Sequence, residues 1–361
     1  IKALNFKYNK ELNILYAKDN VILHDIVNNV KIYTDDITYL KNEEIIFTES
    51  FTKITDKTST MIGDQFNYER NKNIFNGSGN VEINDYEKDF TINANDITYN
   101  KNEELVFTKG KTTAKFLSKY DFKSSDVFLF KDIMELKSNQ KSNLTDDNNN
   151  FYEADEFNFL INEEILKGKN ILAITNYQKP KSDKFFFSSG IFNLSSKEFI
   201  SKDTKILLHK TLFDKERVSK IGLTDEEKEK LNRFNAKNDP RILGVSSSGN
   251  VNKTVINKGI FTSCKKNDKC TPWHITAEKI THDKIKKNIY YKNATLNILD
   301  FPVFYFPNFF HPDPSVDRRS GLLQPRLNKS NIVGTSITQP YYKVISDNKD
   351  YTFKPTIFDD R

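Results

Sequence analysis

Two cysteines, Cys264 and Cys270, stand just ahead of Trp273, His274 and His282 in the pattern C-x5-C-x3-H-x7-H. Thiolates and imidazoles are the donor set of a tetrahedral zinc site, yet this spacing matches no standard finger, and His282 precedes an Asp in an expected strand. The same cysteines can form a disulfide in an oxidising compartment or remain thiols. The residues alone leave all three readings open. Further on, His311, Asp313 and Arg318 imitate a polar site, but the prolines around them argue for a structural corner. His24 and His209 are isolated, and neither a Gly-rich phosphate loop nor a Gly-x-Ser-x-Gly elbow occurs. The expectation is a protein that is not an enzyme, with no cofactor and no metal.

Upstream of these residues the chain announces its elements through a repeat. Asp36-Ile-Thr-Tyr-Leu-Lys-Asn-Glu-Glu-Ile45 returns sixty positions later as Asp96-Ile-Thr-Tyr-Asn-Lys-Asn-Glu-Glu-Leu105. Ile37 and Tyr39 read as one face of a strand. Lys41 to Glu44 interrupt, and Ile45 and Phe47 read as resuming the same parity, with Lys-Asn as a tight turn. Looser copies have an aromatic or Leu anchor followed six residues later by Ile or Leu: Tyr8, Tyr39, Tyr68, Tyr99, Phe130, Phe159 and Leu194. About thirty residues hold two strands of roughly a dozen residues and two turns, at ~3.3 Å per residue. One such unit cannot bury its own apolar face, so the copies must stack.

Composition fits this reading. The 361 residues have 29% charged and 13% aromatic residues, with 29 Phe and 16 Tyr, which suits half-exposed sheets. No stretch approaches the ~20 apolar residues of a membrane helix, which leaves a membrane barrel of short alternating strands open. The net charge of +6 rests on Lys and is modest. No basic run interleaves with stacking aromatics, so nucleic acid is not an expected partner. The chain lacks an initiator Met and a signal peptide and ends just after an apparent strand, so both ends look cut, and no compartment follows from that.

Along the chain, residues 1–215 carry the repeats, with exposed loops expected at 138–150 and 178–183. Thr224-Asp-Glu-Glu227 is a capping box that opens a short helix over 225–236, inside a helical and loop insertion spanning 216–250. Ser246-Ser-Ser-Gly249 reads as loop. Residues 251–325 end the repeat domain and include a proline- and aromatic-dense stretch, Phe301 to Pro314, expected as a rigid crossover rather than a sheet interior. Ile332–Ile345 and Tyr351–Phe358 read as strands of transmembrane-barrel length around a turn at 346–350, so 326–361 form a first hairpin. Each strand carries one proline, Pro340 and Pro355, which removes a ladder donor.

Phe261-Thr-Ser-Cys264, Trp273-His-Ile-Thr-Ala277, His282-Asp283, Tyr290-Tyr-Lys-Asn-Ala294, Pro302-Val-Phe-Tyr-Phe-Pro307, His311-Pro-Asp-Pro314 and Arg318-Arg-Ser-Gly321 closely resemble the LptD family of LPS-assembly proteins. The repeats upstream resemble the OstA domain shared with the periplasmic bridge protein LptA. The resemblance implies an all-β chain: a repeat-built β-jellyroll (OstA/LptA-like), then the first strands of a truncated outer-membrane β-barrel. It implies a location at the cell outer membrane with the N-terminal domain in the periplasm. It also implies lipopolysaccharide as cargo, an LptA-like bridge and an LptE-like lipoprotein plug as partners, and lipid passing from jellyroll to barrel. The candidate groove residues are Ile37, Tyr39, Ile45, Phe47, Phe66, Tyr68, Phe75, Ile97, Tyr99, Leu105, Phe107, Phe157 and Phe159, read as sharing one inward parity. In a closed sandwich the same residues are simply core. A periplasmic setting implies a disulfide for Cys264, to Cys270 or to a partner beyond the chain. For Pro340 and Pro355 the resemblance implies a seam that lets the barrel open sideways. The alternative is a soluble periplasmic OstA-type lipid-binding bridge module without translocation activity.

Overall fold

The computed structural model describes residues 1–178, 182–208, 240–264, 272–314, 316, 319–323, 325–330, 334–346 and 348–359. The expected helix over 225–236 lies outside these residues, as do Cys270 and Arg318. Among the described residues every regular element is a β-strand. They fall into two compact units: Ile1–Leu207 with Arg241–Ile260, and Leu208–Pro240 with Phe261–Arg361.

In the first unit a single antiparallel meander is folded over along one line to make a β-jellyroll. Ile14–Asp25, Val30–Leu40, Ile74–Asp85, Phe90–Asn100 and Leu105–Phe116 are each eleven or twelve residues long and bend once near the middle. The bends are register breaks, at Lys18/Val21, Ser78/Val81 and Lys109/Thr112. In other layers the bend splits the strand in two, as in Ile45–Thr48 and Thr52–Thr55. One half of every strand therefore belongs to one arm of the fold, and the other half to the opposite arm. The side chains between the arms form the core, from Ile37 and Phe75 to Phe159 and Ile242.

Small and hydroxylic residues line the crease because the arms meet there and the backbone loses ladder partners. Thr52 donates to Thr48, whose Oγ1 accepts from the Phe66 amide at 3.0 Å. Thr108 and Thr112 are 2.6 Å apart, and Thr108 takes the Val127 amide at 3.0 Å. Ser124 bonds Ser138 and Ser142, and Ser201 and Thr204 converge on Ser247 at 2.7 Å each. At Gly244 a Cβ would lie 2.1 Å from Ile256 Cγ2. Gly244→Ala should therefore cost about 1–3 kcal/mol through overpacking. In a urea melt, Gly244→Ala combined with Ile256→Ala should cost less than the sum of the two single variants, and an unchanged midpoint for Gly244→Ala alone would contradict this packing.

Six of the seven anchors mark the turns of one rim, and Leu194 lies within a seventh turn, after the strand that ends at Asn193. Strands pair Asn9↔Ile14, Leu40↔Ile45, Glu69↔Ile74, Asn100↔Leu105, Phe130↔Glu135 and Leu160↔Ile165, each around four residues. The last turn residue is left-handed: Asn13, Glu44, Asn73, Glu104, Met134 and Glu164 have φ between +50° and +56°. Lys41-Asn42 is thus half of a four-residue turn rather than a tight two-residue one. This turn also corrects the parity. Tyr39 opposes Ile46, and Thr38 opposes Phe47, so Ile45 and Phe47 face away from Ile37. Leu105 and Phe107 do likewise, while Val106 and Thr108 point inward.

Two serine-rich stretches expected as loops are strands. Ser142–Thr145 pairs on both sides and buries Ser142 and Leu144. Arg241–Gly249 pairs with Phe199–Leu207 and buries Ser247, whose hydroxyl is held at the crease. Polarity in both reflects local hydrogen bonding at the fold line, not solvent.

In the second unit Trp273–Asp283, Asn288–Ile298 and Phe301–Pro312 form an antiparallel meander. The proline-dense stretch, expected as a rigid crossover, is a strand of twelve residues. It pairs along Asn288–Ile298, with Phe301, Phe304, Tyr305 and Phe310 exposed. Further strands run over Arg326–Ser330, Gly334–Thr338, Tyr341–Ser346, Lys349–Phe353 and Thr356–Phe358. Among the described residues, no helix is long and apolar enough to cross a membrane.

Candidate apolar groove and its mouth

Eight of the thirteen groove candidates lie between the arms and are buried: Ile37, Phe66, Tyr68, Phe75, Ile97, Tyr99, Phe157 and Phe159. They pack on one another. The Tyr68 and Phe75 rings stack at 4.1 Å, and Tyr120 meets Phe159 edge-on at 5.2 Å. Tyr39 is on the same inner face at the rim and is half-buried. Ile45, Phe47, Leu105 and Phe107 are half-buried on the outer face. There, Phe47 and Phe107 line an open trough of about 600 Å³ with Thr38, Asn67, Asn76 and Thr98. The interior is filled with its own side chains. Behind Lys101 and Asp56, between Val30, Phe75, Ile83 and Tyr99, lies a cavity of about 20 Å³.

Opposite the crease, the two rims of turns are joined by ion pairs. Arg70 Nε reaches Asp25 Oδ2 at 2.9 Å, Lys101 reaches Asp56 at 3.2 Å, Lys131 reaches Asp85 at 3.0 Å, and Lys197 reaches Asp146 at 3.0 Å. Lys119 with Glu164 makes a further rung of reversed polarity. Residues of one rim also bond the backbone of the other: Lys101 donates to Asn28 O, and Asn28 Nδ2 donates to Arg70 O. In four rungs the carboxylate has two assignments. Oδ1 of Asp25 accepts from the Val27 and Asn28 amides, and that of Asp56 from Thr58 and Ser59. Oδ1 of Asp85 accepts from Glu87 and Lys88, and that of Asp146 from Asn148 and Asn150. One oxygen shapes the turn and the other crosses the mouth.

The electrostatics follow from this packing. Burial works to raise the Asp25 carboxyl, but bonds from Arg70, Asn28 and Tyr68 outweigh it and leave it below its ordinary value. Asp56 is also lowered: burial opposes, while the Thr58 and Ser59 amides and Lys101 prevail. Burial first, and then a bond from the phenol of Tyr68 to Asp25, pushes Tyr68 well up. Tyr99 rises to about 12 through burial, with Lys131 opposing. Lys131 is raised despite burial, because Tyr99 and Asp85 hold its charged form. At these rungs the partners thus favour the charged forms of Asp25, Asp56 and Lys131.

Outside the jellyroll, Cys264 is buried, and its amide donates to Thr262 Oγ1 at 3.1 Å. Its relation to Cys270 falls outside the described residues. His282 is bonded to Asp313, and His311 bonds Tyr291 at 2.7 Å. Among the described residues no group of His, Cys, Asp and Glu converges as metal donors. Pro340 and Pro355 sit at one level of their hairpin. Thr338 pairs with Thr356 below, Tyr341 with Phe353 above, and Gln339 N donates to Pro355 O at 3.1 Å between them. Pro325 interrupts the neighbouring strand at this level, between Leu322↔Tyr341 and Arg326↔Thr338. Three prolines at intervals of fifteen thus break three strands in one line. The mouth rungs and Pro325 were not among the sequence candidates, although the Lys101 of the decamer repeat is itself a rung.

No protein-family model matches the chain. It is similar to proteins named LPS-assembly protein LptD. One from Legionella pneumophila (strain Paris) is 26% identical over 238 residues, covering 63% of this chain and 27% of that protein. One from Polaromonas sp. (strain JS666) is 34% identical over 104 residues, 28% of this chain and 12% of the relative. One from Actinobacillus pleuropneumoniae serotype 5b (strain L20) is 34% identical over 120 residues, 33% and 15% respectively. The chain thus matches about a quarter or less of the length of these relatives.

Proposed function

Because this chain belongs to the LptD family of LPS-assembly proteins, we propose that it carries lipopolysaccharide toward the outer-membrane surface. The acyl chains travel between the jellyroll arms and pass to a barrel whose first strands are those near the C-terminus. The observation that carries this reading is the continuous apolar interior running through successive layers, from Ile37 to Phe159. At about 25 cal/mol per Å², a few hundred Å² of lipid contact is worth several kcal/mol. In this reading the jellyroll lies in the periplasm and receives lipid from an LptA-like bridge, and an LptE-like lipoprotein occupies the barrel.

The line of Pro340 and Pro355 supports a lateral gate, since each proline withholds a ladder donor at the same level. Cys264 is placed in an oxidising compartment by the same reading, which favours a disulfide. The proline-broken strands also favour an exporter over a free-standing bridge module. A photo-reactive residue at Tyr39, on the inner face at the rim, should cross-link to added lipopolysaccharide, and one at Phe107, on the outer face, should not. Labelling only from Phe107, or from neither, would remove the interior groove.

A further inference from the structure

The mouth ladder closes an interior whose described side chains pack against one another. The cavity behind the Lys101–Asp56 rung, about 20 Å³, holds about one water. An acyl chain can enter only if the arms part at the mouth, hinging about the crease, and parting them separates each carboxylate from its cation. Arg70, Lys101, Lys131 and Lys197 then stand at the lip of the opened groove, where an amphiphile with its chains inward presents its head. A partly buried cation stripped of its partner is costly, so an anion that takes its place lowers the cost of opening. The rungs recur every second strand, at a pitch of about 9–10 Å along the stack.

Resting on the groove reading above, we propose that the rungs are latched binding sites for the anionic headgroup of a phosphorylated amphiphile. A phosphate oxygen replaces Asp Oδ2 as the partner of the Lys or Arg, so that headgroup capture and groove opening are one event. The other oxygen of each Asp keeps its amide bonds, so the rim turns hold their shape while the latch is released. The Lys119–Glu164 rung, with its cation on the opposite rim, offers a phosphate a site facing the other way.

The test uses the full chain with three probes: bisphosphorylated lipid A in detergent, the same lipid with its phosphates removed, and inorganic phosphate. Asp56→Asn keeps an oxygen for Thr58 and Ser59 and weakens the latch. It should raise affinity for both lipids about 3–10-fold, where tenfold corresponds to 1.4 kcal/mol, and leave their ratio intact. Lys101→Met should cut the preference for the phosphorylated lipid by about the same factor. Lys197→Met, on a separate rung, repeats the measurement if the first variant misfolds by circular dichroism. An unchanged affinity in Asp56→Asn, or an unchanged preference in both Lys variants, overturns the proposal. Inorganic phosphate displacing the lipid at equal concentration also overturns it, since the ligand would then be free phosphate. If the unaltered chain binds neither lipid, the groove reading itself fails, and the latch falls with it.

Discussion

Lys131→Met should destabilise the chain by about 3–5 kcal/mol, read as a lowered midpoint in urea or thermal unfolding. Lys131 is 3% exposed and Asp85 1%. The ammonium lies 3.0 Å from Asp85 and 3.0 Å from the phenol of Tyr99, and Glu104 is 3.5 Å away. Removing the cation leaves the Asp85 charge in the closed mouth with only amide donors on its other oxygen. The size of the loss comes from that stranded charge rather than from the value of the pair. Lys131→Met combined with Asp85→Asn should therefore return most of the stability, because the asparagine oxygen still holds the Glu87 and Lys88 amides. A single variant within about 1 kcal/mol of the parent would mean that this rung is effectively solvated.

Phe159→Ala should cost a comparable amount, about 3–5 kcal/mol, because its ring is fully enclosed against Tyr120 and Phe157. Phe107→Ala, on the outer face with Phe128 at 4.6 Å, should cost only about 0.5–1.5 kcal/mol, the value of the lost aromatic pair. Both were read from the sequence as inward residues. Equal losses in parallel unfolding experiments would contradict their placement on opposite faces.

The difference between those two residues shows where sequence reading stops. The anchors at intervals near thirty residues locate the rim turns, because an aromatic at the strand end and an aliphatic six residues later both report the hairpin. Parity across the hairpin depends on how many residues the turn leaves unpaired, and Glu44 and Glu104 reveal the register only through their left-handed backbone. Ser247 and Ser142 looked like loop residues because hydroxyls commonly serve turns, whereas here they satisfy the crease. Phe301 to Pro312 reads as a rigid crossover because proline is excluded from sheet interiors, but a ladder to Asn288–Ile298 tolerates it. The rungs were hidden for another reason. Asp25 and Arg70, or Asp56 and Lys101, are 45 residues apart, one and a half repeats, so neither a hairpin nor a repeat pairs them. Only the fold-over brings the two rims together.

That fold-over gives the jellyroll direction-dependent stiffness. Along the stack, each layer is joined to the next by backbone hydrogen bonds in both arms, so stretching it means breaking ladders. Between the arms, past the crease, the links among the described residues run through side chains. A pull along the stack is therefore resisted like a pull on a sheet, and a pull across it like a pull on a clasp. Because each rung belongs to its own layer, the clasp can be undone one tooth at a time while the sheet stays whole.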